Sequence, residues 1–108
     1  METAQGQKIT FGDIVLIAHD DRYLTVADDY TQLSFQPSDP TGKSQKLLIC
    51  GKEGEDFYLT FKYAPGFIRL EGSHLLNGAA WPDRTYFNLD RLKLALGVDH
   101  LTFCLTEE

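Results

Sequence analysis

The sequence predicts an all-β domain in which short extended segments surround one apolar core. Apolar and polar residues alternate along several stretches, which is the period of a strand with one buried face. These stretches are four to six residues long, and residues that favour turns recur about every ten positions between them. We therefore expect about ten short strands in a single domain over residues 1–108, with residues 1–8 as a flexible N-terminus.

Four of the expected strands lie in the first half of the chain. Residues 14–17 are an apolar, largely β-branched run with Gly-Asp before it and two aspartates shortly after it, which is typical of a buried strand. Residues 22–26 and 33–35 follow, each with alternating side chains. A loop with two prolines and a glycine, residues 37–43, precedes the fourth apolar stretch, residues 47–50.

A hairpin is expected around Pro65 and Gly66. Residues 57–62 alternate between two sets of side chains, and residues 67–71 do so again after the turn. Proline presets φ at the second position of a type II turn, and glycine supplies the positive φ that the third position needs. We therefore predict that these two strands pair with each other.

The last third of the chain gives weaker patterns. Residues 74–76, 86–89 and 100–105 are further strand candidates. Segment 90–96 fits two structures, because its leucines alternate as in a strand, whereas Asn88 and the glycine after the segment suit the ends of a helix. The segment also lacks β-branched residues, which favours the helix. Because the surrounding pattern is β, we predict a strand.

Charge and composition narrow the classes of partner. The 108 residues include 10 Lys and Arg against 16 Asp and Glu, so the net charge is −6 and the isoelectric point is near 4.9. An acidic surface repels phosphate, so no nucleic-acid partner is expected. The longest strictly apolar run, residues 14–18, is far shorter than the ~20 residues of a membrane-spanning helix. Membrane insertion is therefore not expected, and the composition is that of a soluble protein.

The sequence lacks the features of a secreted protein. Residues 1–8 have neither the cationic start nor the apolar segment of a secretory signal. Cys50 and Cys104 lie among apolar residues, where unpaired, reduced thiols are the expected state. We expect a cytoplasmic protein, with a secreted one as the alternative if the chain is processed or excised from a precursor.

Residues 9–50 follow an order that resembles one repeat of a β-trefoil. In such a repeat a Gly-Asp-apolar strand is followed by a Tyr-Leu strand, a third short strand and a closing strand with an inward apolar residue. The segments that match this order are residues 9–16, 22–25, 33–35 and 42–49. Residues 23–26 and 58–61 also share the pattern Tyr-Leu-Thr-apolar, which suggests an internal repeat.

The resemblance extends loosely over residues 55–89, and residues 90–108 are too few for a third repeat. It implies a β-trefoil or a shortened trefoil-like barrel, with a β-sandwich as the alternative. The incomplete third repeat further suggests that a second copy completes the sheet in a homo-oligomer. Ricin-type lectins of this fold end their repeats with Gln-x-Trp, whereas this chain has Leu47 two residues after Gln45. Sugar binding by that particular route is therefore not expected.

Loop aromatic residues beside amides and carboxylates favour a lectin-like binding function without catalysis. An exposed ring can stack on the C–H face of a sugar while its polar neighbours bind the hydroxyls. The residues expected to bind glycan form two sets, namely Trp81 with Asn77 and Asp83, and Tyr30 with Asp28 and Asp29.

The alternative function is a protein-binding module, such as a protease inhibitor or a cytoskeletal-binding domain. It would use the turn that carries Tyr63, Pro65 and Phe67, because aromatic residues dominate protein interfaces. A small hydrolase ranks third. The side chains of Ser73 and His74 would point to opposite faces of a strand, and no Gly-x-Ser-x-Gly elbow occurs. We therefore predict no catalytic residues and no cofactor.

No metal site is expected from the spacing of the ligand-type residues. The histidines stand at positions 19, 74 and 100, without the short spacing of a metal motif, and no Cys-x-x-Cys occurs. The pairs Asp20-Asp21 and Asp28-Asp29 flank one short strand. They are expected to be solvated turn residues.

Overall fold

The computed structural model describes residues 1–52 and 55–106. Within these residues it is mainly β, as predicted, with eight strands rather than about ten. The strands are β1 Ile14–His19, β2 Arg22–Val26, β3 Leu33–Gln36, β4 Leu47–Gly51, β5 Phe57–Phe61, β6 Phe67–Glu71, β7 His74–Ala79 and β8 Thr102–Leu105. A short 3₁₀ helix, Trp81–Asp83, and one α-helix, α1 (Leu89–Leu96), lie between β7 and β8.

Six strands form one antiparallel sheet with β1 at its centre. Its main path is β3-β2-β1-β4-β5, and β8 also pairs with β1. Ala18 pairs with Tyr23 of β2 and with Thr102 of β8, and Val15 pairs with both β4 and β8. A strand has two edges, so β2 and β4 share one edge of β1 and β8 takes the other.

The predicted hairpin between β5 and β6 is wrong in its pairing, although both strands exist. β5 pairs with β4 in the large sheet, whereas β6 pairs with β7 in a separate two-stranded sheet. Gly66 does adopt the positive φ expected of the turn, at 86°. A side chain there would also collide with Gly78, whose Cα lies 2.5 Å from the position of a Cβ. The Pro65-Gly66 turn therefore joins the two sheets and does not close a hairpin.

The strand predicted for 90–96 is also wrong, because the segment belongs to helix α1. Asn88 caps the helix, its side chain accepting a hydrogen bond from the Arg91 backbone N–H at 2.8 Å, and Gly97 ends it in a left-handed conformation. Leu92 is fully buried, whereas Leu94 is 83% exposed. The capping residues thus prevail over the alternating leucines. The strand expected at 86–89 is reduced to an isolated bridge between Phe87 and Phe57.

The core lies between the large sheet, the β6–β7 sheet and α1. Its largest fully buried apolar side chains are Phe87, Ile17, Leu24, Leu47, Ile49, Leu59, Ile68, Leu92 and Val15. Burial of this apolar surface is the main favourable term in folding. Gln45 is buried among them and donates hydrogen bonds to the Thr25 hydroxyl and the Pro37 carbonyl.

Residues 1–9, which include the segment expected to be flexible, are tied by backbone hydrogen bonds. The Thr3 N–H donates to the Gln7 carbonyl, and the Ile9 N–H donates to the Met1 carbonyl, both at 2.9 Å. Thr3 and Ile9 are buried. Both hydrogen bonds join residues within this segment, and the Ile9 side chain belongs to the apolar core.

The strand pairings do not show the three equivalent units of a trefoil, which stays a prediction. The Tyr-Leu-Thr-apolar repeat falls on β2 and β5. β2 lies between β1 and β3, whereas β5 ends the main path of the sheet. The two copies of the pattern therefore do not occupy equivalent places.

Candidate functional site

A cavity of about 450 Å³ opens between the loop after β2 and the turn after β5. We call it the tyrosine cavity, because Tyr30 and Tyr63 stand on its rim with 52% and 46% of their surface exposed. Its lining consists of Val26, Ala27, Asp28, Tyr30, Asp39, Lys43, Ser44 and Tyr63. Two residues of the predicted glycan set, Asp28 and Tyr30, thus meet one residue of the predicted protein-binding set, Tyr63.

Tyr30 is held in an unfavourable backbone conformation. Its φ is 61°, a left-handed value that costs an L residue about 1–2 kcal/mol. Its N–H donates to the Ala27 carbonyl at 2.9 Å. The next turn is fixed by Asp29, whose carboxylate accepts hydrogen bonds from the backbone N–H groups of Thr31 and Gln32. These bonds, that from Thr31 first, lower the pKa of Asp29.

Asn77 joins the two loops that carry the tyrosines. Its side-chain amide donates to the Tyr30 carbonyl at 2.8 Å and to the Pro65 carbonyl at 3.1 Å. Its backbone N–H donates to the Thr31 carbonyl at 2.9 Å. Asn77 is only 4% exposed, so it positions both loops from below. Its side-chain oxygen is buried and makes no hydrogen bond with any residue that the structure describes.

The opposite wall of the cavity is a loop organised by Asp39. The Asp39 carboxylate accepts hydrogen bonds from the hydroxyls of Ser44, at 2.7 Å, and Thr41, at 2.8 Å. The bond from Ser44 contributes most to lowering the pKa of Asp39 to about 2. The buried Gln45 side chain accepts from the Asp39 N–H at 2.9 Å and so fastens this loop to the core.

Two charged groups on the cavity remain available. Within residues 1–52 and 55–106, the Asp28 carboxylate and the Lys43 ammonium make no hydrogen bond or ion pair. The Lys62 ammonium lies 5.4 Å from the centre of the Tyr63 ring. As far as the described residues show, the tyrosine cavity therefore presents two aromatic rings, one unpaired carboxylate and one unpaired ammonium to a ligand.

A second surface group surrounds Arg84 and is here called the aromatic–arginine cluster. It comprises Tyr58, Phe67, Trp81, Arg84 and Tyr86. The Arg84 guanidinium carbon lies 3.5 Å from the centre of the Trp81 ring, and an Arg84 N–H donates to the Tyr86 hydroxyl at 2.6 Å. Trp81 remains 52% exposed, so the predicted loop tryptophan does reach the surface.

The rings of the cluster meet edge to face. Tyr58 contacts Trp81 and Tyr86, each with ring centres 5.5 Å apart, and Phe67 contacts Trp81 at 5.3 Å. Edge-to-face contact suits the ring quadrupoles. Burial is the main cause that raises the pKa of Tyr58. Sequence reasoning passed over Tyr58 and Tyr86 because both lay in predicted strands.

The predicted set around Trp81 is therefore divided. Trp81 belongs to the aromatic–arginine cluster, whereas Asn77 lies beneath the tyrosine-bearing loops. Asn77 and Asp83 do line one shallow cavity of about 380 Å³. In the predicted protein-binding set, Phe67 belongs to the aromatic–arginine cluster, and the Pro65 backbone carbonyl accepts a hydrogen bond from Asn77. The carboxylate of Asp29, from the predicted glycan set, accepts a hydrogen bond from the Thr31 N–H within the same turn.

One group in the described part of the chain could hold a metal ion. It consists of His19, Asp20 and His100, whose ligand atoms lie within 4.8 Å of one another. Short-range spacing does not reveal this group because His100 is 81 residues from His19.

Cys50 and Cys104 are unpaired and half-buried, and burial raises the pKa of Cys50.

Over the described residues, no helix has the length and apolar character needed to cross a bilayer. Comparison with known proteins finds no matching family model, no matching curated protein and no matching solved structure.

Proposed function

We propose that the protein binds a carbohydrate without chemical conversion, and that the tyrosine cavity is the binding site. The observation that carries this proposal is the convergence of Tyr30 and Tyr63, from separate loops, on one cavity. Beside them lie Asp28 and Lys43, whose charged groups have no partner among residues 1–52 and 55–106. Aromatic rings suit the C–H face of a sugar, and the two charged groups suit its hydroxyls. The volume of about 450 Å³ is suited to one or two sugar rings.

The arrangement of the loops supports the same function. Tyr30 keeps a left-handed backbone, and Asn77 ties its carbonyl to the neighbouring turn. Strained backbone that the surroundings enforce is concentrated at binding sites. A loop backbone that is already fixed also loses less conformational entropy when the loop binds a ligand.

A glycan array with matched variants tests the proposal. Tyr30→Gly removes the ring and relieves the strain, because glycine accepts a positive φ, and Tyr63→Ser removes the other ring. Trp81→Ala is the control, since it removes a comparably exposed ring outside the cavity. We expect wild type and Trp81→Ala to bind the same glycans and both tyrosine variants to lose them. Absence of glycan binding by the wild type, or its loss in Trp81→Ala alone, contradicts the proposal.

The second candidate is protein binding through the aromatic–arginine cluster. Trp81, Tyr86 and Arg84 are the residue types that dominate binding energy at protein interfaces, and the first two are exposed. Arg84 already covers one face of the Trp81 ring, which makes stacking on a sugar less favourable there. A partner captured by the wild type and by Tyr30→Gly, but lost in Trp81→Ala, would support this function.

We further propose that the fold is a shortened trefoil-like barrel. Its support is the order of elements, since β1 to β4 comprise a strand, a β2–β3 pair and a closing strand that pairs with β1. β5 is likewise followed by the paired β6 and β7, and Phe87 then returns to bridge Phe57 of β5. A helix and one strand take the place of a third unit. An experimental structure without pseudo-threefold placement of these units would contradict it.

A further inference from the structure

The two histidines His19 and His100 meet at the end of the central strand β1, beside the carboxylate of Asp20. The pairing of β1 with β8 sets Ala18 opposite Thr102, so the chain just before β8 runs beside the end of β1. The two imidazole rings lie 4.5 Å apart between centres. Asp20 stands in the two-residue turn between β1 and β2, with φ at 55°.

The Nε2 atoms of both rings face the Asp20 carboxylate. His100 Nε2 lies 2.9 Å from one carboxylate oxygen, and His19 Nε2 lies 3.6 Å from the other. Ligands on a tetrahedral zinc ion stand about 3.3 Å apart, given bonds of about 2.0–2.1 Å. These two distances lie on either side of that value. The three ligand atoms lie within 4.8 Å of one another, so the side chains must draw together for all three to bind one ion.

The other nitrogen of each ring already has the partner that a metal-bound histidine requires. His19 Nδ1 lies 3.1 Å from the His100 carbonyl oxygen, which can only accept, so this nitrogen carries the proton. His100 Nδ1 lies 2.7 Å from the Asp99 carboxylate and donates to it. A carbonyl or carboxylate on the far nitrogen is the usual support of a ligating histidine. Phe35, with its ring 5.7 Å from that of His19, packs against the site.

We propose that His19, Asp20 and His100 bind a first-row transition-metal dication, with Zn²⁺ as the principal candidate. Two imidazole nitrogens and one carboxylate oxygen are ligands that Zn²⁺ accepts, and water completes the tetrahedron. On binding, His100 Nε2 gives its proton to the solvent and takes the metal in its place. The ion would fasten the β1–β2 turn to the start of β8. This proposal is independent of carbohydrate binding.

The test is a titration of the full, tag-free chain with ZnCl₂ by calorimetry and with CoCl₂ by visible absorption. We expect one ion per chain, a Co²⁺ spectrum of nitrogen and oxygen ligands, and a higher melting temperature with Zn²⁺. His19→Gln, Asp20→Asn and His100→Gln should lose this binding. His74→Gln and Asp21→Asn are matched controls outside the group and should keep it. Asp99→Asn, which removes only a supporting carboxylate, should weaken binding by about 10-fold.

Circular dichroism and thermal melting establish that each variant folds. Ring signals in the NMR spectrum of the wild type provide a test without substitutions, because Zn²⁺ should shift those of His19 and His100 and leave those of His74 unchanged. Absence of binding by the wild type, unchanged affinity in His100→Gln, or a thiolate-to-cobalt charge-transfer band from Cys50 or Cys104 would each overturn the proposal.

Discussion

The tyrosine cavity and the aromatic–arginine cluster use the same kinds of side chain in opposite ways. In the cluster, Trp81 and its neighbours contact one another. The Arg84 guanidinium lies over the ring of Trp81 and donates a hydrogen bond to the hydroxyl of Tyr86. In the cavity, the rings stand apart and the nearby Asp28 and Lys43 are unpaired within the described residues. Exposed aromatic residues alone therefore do not distinguish a small-ligand site from a protein-facing surface. The proposed assignment of the cavity to a small ligand depends on the two charged side chains beside its rings, which lack partners within the described residues.

The substitution with the largest expected effect is Gly66→Ala, because Gly66 lies between the two regions. A Cβ at this position would stand 2.5 Å from Gly78 Cα, and φ is 86°. We expect the free energy of unfolding to fall by about 3 kcal/mol or more, and both surfaces to be disturbed. Gly72→Ala is the matched control, since φ there is 62° and nothing lies within 4 Å of the added atom. It should cost only about 1 kcal/mol. If urea unfolding shows the same loss of unfolding free energy for Gly66→Ala and Gly72→Ala, the close approach of Gly66 to Gly78 is contradicted.

Asn77→Ala should affect the tyrosine cavity and leave the aromatic–arginine cluster unchanged. It removes both side-chain hydrogen bonds that hold the carbonyls of Tyr30 and Pro65, and we expect a loss of about 2 kcal/mol. The loops around the tyrosine cavity should exchange amide hydrogens faster and lose glycan affinity. Fluorescence of Trp81 should stay unchanged. A change in Trp81 emission without faster exchange in the loops would show that the regions are not independent.

Arg84→Met tests the interior of the aromatic–arginine cluster. Methionine keeps an apolar stem but removes the charge that lies over the Trp81 ring, so we expect a loss of about 1 kcal/mol. Arg69→Met is the control. It removes an exposed ion pair with Glu71, 3.0 Å long, which contributes roughly 0–1 kcal/mol. If urea unfolding shows Arg69→Met to be the more damaging change, the ring contacts of Arg84 are not what stabilises the cluster.

Acidification should affect the cavity wall through Asp39. Its pKa falls from 3.8 to about 2 in the folded protein, so the unfolded chain takes up this proton at a higher pH than the folded one. The contribution of Asp39 to stability is therefore complete above about pH 4 and decreases as the pH falls toward 2. Asp39→Asn should flatten the stability profile in this window. Parallel profiles for variant and wild type in denaturant melts would contradict the assignment.

Local patterns predicted the individual strands well because each depends on a few neighbouring residues. Residues 22–26, 33–35 and 67–71 were predicted with boundaries close to those of β2, β3 and β6. The pairing of β6 could not be predicted in the same way, because a turn of correct chemistry at Pro65-Gly66 is compatible with two partners. The pairing of β6 with β7 depends on contacts between residues distant in sequence, such as the packing of Gly66 against Gly78. In segment 90–96, the cap at Asn88 decided between two periods that the leucines fit equally well.

Only part of the candidate site could be predicted from the sequence. Asp28 and Tyr30 were recognised as neighbours, whereas Tyr63 was assigned to a different function because nothing local connects the two loops. The buried Asn77 side chain connects the two loops. From the sequence, this amide was predicted to bind a ligand. In the same way, the meeting of His19 with His100 depends on the pairing of β1 with β8.

The most direct test of the central claim is an NMR titration with the glycan that binds most strongly on the array. The account predicts that ring-proton shifts of Tyr30 and Tyr63 change together along one binding curve, while those of Trp81 and Tyr86 stay in place. Shifts confined to Trp81 and Tyr86, with the two cavity tyrosines unaffected, would contradict it.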